Sequence, residues 1–155
     1  MKSISSRRTP VSPEYPSCDE CYASLLIYPD LVHPDEVSRI LNLEPTNKNI
    51  VGTQVTNSRG RVREITIAGW FLSSKGYVHS KDLREHLNWL LTRIEPSSDA
   101  LSILQDYHGV TMSIDCVWRS LAGNGGPVLW PEQMKRMSAL NLECGFDIYF
   151  VGDES

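Results

Sequence analysis

Apolar and polar residues alternate over VTMSIDCVW, from Val110 to Trp118, with Val117 the one apolar residue among the polar positions. Period-two alternation predicts a half-buried strand, with Val110, Met112, Ile114, Cys116 and Trp118 facing the core and Thr111, Ser113, Asp115 and Val117 facing away. The same pattern recurs in ECGFDIYF, placing Cys144, Phe146, Ile148 and Phe150 on a core face and Gly145, Asp147 and Tyr149 opposite. A third apolar run, YASLLIY from Tyr22 to Tyr28, reads as a strand with Ala23, Leu25 and Ile27 on one face. Between residues 50 and 67, IVGTQV and RVREITI are joined by NSRG, a composition suited to a tight hairpin turn, and AGWFLSS follows as the end of that strand pair.

Helical spacing marks the other elements. The clearest helix runs over 80–94, where Leu83, Leu87, Leu90, Leu91 and Ile94 share a face and Pro96 ends the run. A shorter one is expected over SSDALSILQDY, started by a Ser or Asp cap and ended near Gly109. Two more open on proline, PDEVSRILNL from Pro34 and PEQMKRMSALNL from Pro131, because proline fits the first helical position. Both finish in LNLE, and both are preceded by a strand and a loop. That parallel suggests an internal β-loop-α-β pseudo-repeat. The expected fold is therefore α+β, a mixed or antiparallel sheet with helices packed on one face and ferredoxin-like character.

At 155 residues the chain can bury one core, so one domain over 18–151 is expected. Residues 1–17, MKSISSRRTPVSPEYPS, lack an apolar run and read as a flexible tail on a cytoplasmic protein with no membrane contact.

The combination CYASLLIYPDLVHPDEVSRILNLEPT, GWFLSS, HSKDLREHLNWLLTRIEP and GNGGPVLWPEQMKRMSALNLECGFDIY resembles the bacterial family catalogued as domain of unknown function 4279, over about residues 21–149. The resemblance implies a small α+β domain and brings no catalytic residues with it.

Chemistry must then come from the residues. Cys18 and Cys21 form a C-x-x-C, but no second pair or His pair follows to complete a zinc site, so no metal and no cofactor are expected. Cys116 and Cys144 read as small buried apolar residues. The turn AGNGGP lacks the Lys and the strand-to-helix setting of a phosphate loop. Arg59, Arg61 and Arg63 crown the hairpin without an interleaved aromatic platform, and the net charge is -4, which argues against nucleic acid.

Charge is unevenly spread. From Pro96 to Ser155 there are three basic residues against eight acidic ones, whereas the rest of the chain is nearly balanced. Asp115, Asp147 and Tyr149 fall on the non-core faces of their strands, with Tyr28 and Ser24 as neighbours if the strands adjoin. An acidic, tyrosine-bearing sheet face would attract a basic protein and supply contact area at low entropic cost. The expected function is accordingly non-catalytic protein binding, most concretely an immunity protein that occludes a cationic toxin, with Asp115, Asp147, Tyr149, Tyr28 and Trp118 as contact residues. A competing expectation is a small-molecule or enzymatic pocket near Trp70, His86, Trp89 and Trp130. A homodimer through a sheet edge or the open face is a third.

Overall fold

The computed structural model describes residues 8–152. Seven strands and four α-helices follow one another as β1 (Cys18–Tyr28), α1 (Pro34–Leu41), β2 (Asn47–Asn49), β3 (Gln54–Thr56), β4 (Val62–Glu64), β5 (Gly69–Ser73), α2 (Leu83–Ile94), α3 (Ser98–Gln105), β6 (Thr111–Ser120), α4 (Pro131–Ala139) and β7 (Glu143–Phe150). A 3-10 turn, Glu95–Ser97, joins α2 to α3.

The main sheet has the order β2-β5-β1-β6-β7. Neighbours are antiparallel except β6 and β7, which run parallel. Two split β-α-β units therefore interlock: β1-α1-β2 has β5 inserted between its parallel strands, and β5-α2-α3-β6 has β1 inserted. This is the ferredoxin-like arrangement, and α4 with β7 extends it by one direct β-α-β crossover beyond β6.

Register explains why the helices gather on one side. Ala23, Leu25 and Ile27 lie level with Cys116, Ile114 and Met112, and Trp70 and Leu72 of β5 lie level with Ile27 and Leu25. All of these side chains point toward the helices, where Val37, Leu41, Leu83, Leu87, Leu90, Leu91, Ile94, Leu101, Leu104 and Met137 complete a continuous core. Trp70 is fully buried there, and its indole Nε1 donates to Ser38 Oγ at 2.9 Å, tying β5 to α1.

The LNLE tetrapeptide has a local cause. Asn42 and Asn141 both sit in the left-handed region, at φ 51° and 55°. Asn tolerates that conformation better than most residues, and there it reverses the chain so that the orphan carbonyls of the last turn find donors. The bonds match offset for offset: Asn42 N donates to Arg39 O and Leu43 N to Ser38 O, while Asn141 N donates to Ser138 O and Leu142 N to Met137 O. The shared tetrapeptide is thus a repeated helix stop. It relates α1 to α4 and does not mark the pseudo-twofold of the ferredoxin-like core, which pairs α1 with α2 and α3.

Several expectations are corrected. The hairpin of β3 and β4 forms a separate two-stranded sheet of three residues per strand, outside the main sheet, and the polar edge strand β2 lies just before it. The long helix begins at Leu83, because Asp82 takes the capping position and accepts from Arg84 N. Residues 8–17 are not a loose tail. Arg84 donates to Thr9 O and Pro10 O, Ser12 N donates to Asp82 Oδ2 at 2.8 Å, Lys81 N donates to Pro13 O, and Tyr15 Oη donates to Gly126 O. The part of the expected tail before residue 8 lies outside the described residues. In β7 the expected core face is exposed: Phe146, Ile148 and Phe150 leave 44%, 57% and 67% of their surface in solvent. Beyond Cys144 the strand runs past the helices as the last strand of the sheet, so alternation found no core to face.

Candidate functional site

Among the described residues no α-helix covers the other face of the sheet. In rows across it stand Ser73, Ser24, Asp115 and Gly145, then Phe71, Leu26, Ser113 and Glu143. On the other side of Asp115 lie Tyr22, Val117 and Asp147, then Glu20, Arg119 and Tyr149. Tyr28 closes the far end of β1 and packs edge-on against Phe71, with ring centroids 5.6 Å apart. The structure thus brings Asp115, Asp147, Tyr149 and Tyr28 onto one face, as their alternation on separate strands implied.

The row through Ser73, Ser24, Asp115 and Gly145 is made of small or short side chains, which forms a shallow trough. A side chain added at Gly145 would meet nothing within 4 Å, so the trough is open at its β7 end. Its floor is partly apolar, because Val117 is buried and Leu26 half-buried.

Electrostatics single out the acidic pair. Partial burial, a hydrogen bond shared with Asp147 and the Asp147 charge together push the Asp115 carboxyl up to about 6. Neutralisation is available elsewhere on this face but not here: Lys75 stands 3.8 Å from Glu20 and 5.0 Å from the Tyr22 ring, and Arg119 stands 3.7 Å from Asp19. Among the described residues, neither Asp115 nor Asp147 has a basic partner within 4.0 Å. Two carboxyls that repel each other and lack a counter-charge form a site that a cation would relieve.

Trp118 does not belong to this surface. It is fully buried on the helix side and packs edge-on against Tyr15 at 5.3 Å, so its expected role as a contact residue is withdrawn. Its position on the strand already placed it on the core face with Ile114 and Cys116. Assigning it to the open surface contradicted that alternation.

The residues of the alternative pocket do not line one cavity. Trp70 fills the core beneath α1. His86 is 1% exposed and has both ring nitrogens engaged: Nε2 donates to Ser80 O at 2.6 Å, and Nδ1 meets Ser74 Oγ at 2.6 Å. Burial is the first cause that depresses its pKa, which keeps the imidazole neutral and its hydrogen-bonding capacity spent on structure. Trp89 stacks on Tyr77 at 5.3 Å and carries the Arg93 guanidinium 4.3 Å from its ring centroid. Trp130 instead starts α4, with its Nε1 donating to Thr9 O and the Arg84 guanidinium 5.0 Å from its ring. These are packing and strapping roles.

Cys18 and Cys21 both face inward, although three positions apart on a strand should face opposite ways. The extra residue Asp19 makes a bulge between Cys18 and Glu20, which turns both thiols into the core. Among the described residues, no group of three or more His, Cys, Asp or Glu side chains could hold a metal ion. Among the described residues no helix is long and apolar enough to cross a membrane.

Sequence reasoning missed the strand edge. Among the described residues no strand pairs with the outer edge of β7, which presents its backbone along eight residues, with Phe146 and Ile148 exposed on one side and Tyr149 on the other. The signal was present in the alternation itself, but only the strand order reveals that β7 lies at the edge.

In comparison with known proteins, the family model described as Domain of unknown function (DUF4279) fits residues 19–151. No curated protein and no solved structure matches the chain.

Proposed function

Because the chain belongs to the DUF4279 family, a grouping that names no activity, we propose from its geometry that the domain works by binding another protein. The observation that carries this reading is the uncovered sheet face, where the unneutralised Asp115 and Asp147 adjoin a long, unpaired and partly apolar edge strand. Natural sheets blunt such edges with charge, brevity or a covering element, as β2 does here with the three polar residues NKN. A partner that adds to β7 would satisfy its backbone and cover Phe146, Ile148 and Tyr149. A Lys or Arg side chain of that partner could lie in the Ser24-Asp115-Gly145 trough and neutralise the carboxyl pair. The partner is therefore a basic protein. Its most concrete form is a cationic toxin whose active surface the domain occludes, so that binding itself is the protective act.

The test is affinity capture from native cells with the wild-type chain and with Asp115→Lys/Asp147→Lys, at low and moderate salt, followed by mass spectrometry. One stoichiometric basic protein retained by the wild type and lost by the variant is expected. Equal recovery by both chains, or a partner of acidic character, would overturn the surface assignment. Self-association through the open face would set two acidic pairs against each other, so a homodimer could only use the β7 edge. Sedimentation at increasing concentration distinguishes that case.

A further inference from the structure

All three methionines among the described residues, Met112, Met134 and Met137, line a single groove of about 560 Å³ between α4 and the start of β7, and Cys144 lines it with them. Directly behind Cys144 stands Cys116, with the two Sγ atoms 3.7 Å apart. The topology explains the grouping. Cys144 is level with Ile114 on the neighbouring strand, so the flanking core-side positions of β6, Met112 and Cys116, stand on either side of it. The first of those, Met112, receives the Gln105 side-chain amide at 3.4 Å from its Sδ. Met137 comes down from α4 and is nearly buried, whereas Met134 is half exposed at the mouth.

From this geometry we infer a binding site for a soft, thiophilic monovalent cation, Cu(I) in particular, held by Cys144 and Cys116 with thioether donors from Met112 and Met137. Thiolate and thioether sulfur select soft ions over hard ones, and the side-chain oxygen donors that line the groove are those of Ser138, Asn141 and Glu143. The sulfur spacing fits: two thiolates bound at about 2.3 Å to one tetrahedral ion stand about 3.8 Å apart. The hydrogen bond between the two thiols lowers the pKa of Cys144 and raises that of the more deeply buried Cys116. Each thiol that ligates gives its proton to solvent.

The experiment uses the full chain, reduced and free of oxygen. Native mass spectrometry with Ag(I), a redox-inert stand-in, is expected to show one ion per chain, and Cu(I) is expected to resist a competing chromogenic chelator. Cys144→Ser should lower Cu(I) affinity by at least about 100-fold, the upper end of what even an outer partner of a metal site contributes. Met112→Leu/Met137→Leu, which conserves volume, should lower it by at least about 10-fold while leaving the unfolding midpoint near wild type. Cys18→Ser/Cys21→Ser should bind as wild type does. Failure to retain either ion, retention undiminished in Cys144→Ser, loss in the Cys18/Cys21 variant, or preference for Zn(II) over Ag(I) would each overturn the assignment.

Discussion

The units β1-α1-β2 and β6-α4-β7 begin and end their helices in the same way and then part company. Pro34 and Pro131 open them, and the carbonyls of His33 and Trp130 accept the first bonds from residues three and four further on. Asn42 and Asn141 close them with matching bonds. After the first stop, the chain enters a three-residue polar strand separated from β1 by β5. After the second, it enters an eight-residue strand laid directly beside β6. Helix ends are local chemistry and can be repeated at will. What the following strand pairs with depends on the rest of the sheet. One edge is consequently short and polar, and the other is long and partly apolar.

The two helices also differ in how they are fastened, and this is where the largest effect should appear. α1 is held by the core and by Trp70 to Ser38, whereas the start of α4 is strapped to α2 by residues 8–13 through the buried Arg84 and Asp82 pair. Asp82→Ala leaves a buried guanidinium uncompensated and should cost about 3–5 kcal/mol by chemical denaturation. Burial raises the Asp82 pKa but the hydrogen bonds from Arg84 and Ser12 outweigh it, so the folded value is lowered. Its stabilisation is full above the unfolded carboxyl range and disappears as pH falls through the lower folded value. Acid should therefore loosen the strap in wild type, and Asp82→Asn should lack that acid-sensitive component.

Next in size come the helix stops. Asn42→Val and Asn141→Val place a β-branched residue at positive φ and should each cost about 1–2 kcal/mol, while glycine at either position should fold nearly as well as wild type. A large loss at one stop and none at the other would break the claim that the two are equivalent.

A smaller effect concerns the open face. With its folded pKa raised to about 6, Asp115 binds its proton more tightly in the folded chain than in the unfolded one. Stability should fall as pH rises from about 4 to about 6, and Asp115→Asn should flatten that stretch of the profile. Binding a cationic partner should lower the same pKa and release protons near pH 6. The smallest effect on folding is expected at the β7 edge. Ile148→Lys exchanges an exposed side chain, should alter stability within about 0.5 kcal/mol, and should nevertheless weaken partner capture. Wild-type capture by this variant would show that the contrast between the edges has no functional meaning.

Most elements were legible because their signals are local. Proline openings, leucine spacing in α2 and the alternation of β6 each follow from a few neighbouring residues. Alternation also placed Asp115 and Asp147 on the face opposite the core, and the strand order then made them neighbours. What was hidden depends on distant partners. ECGFDIYF has a core-facing pattern, yet nothing within it says that β7 is the last strand. MKSISSRRTPVSPEYPS has the composition of a tail, but Arg84, 75 and 74 positions away, gathers the carbonyls of Thr9 and Pro10. The sulfur groove escaped notice for the same reason, since its methionines and cysteines come from β6, α4 and β7.

The central claim is that a basic protein recognises the open acidic face. Its most direct test is the association rate of the captured partner with wild type and with Asp115→Lys/Asp147→Lys, measured across a range of salt. The wild-type rate should fall steeply with salt, and the variant should associate at least about 10-fold more slowly at low salt. Equal rates for the two chains, unaffected by salt, would contradict it.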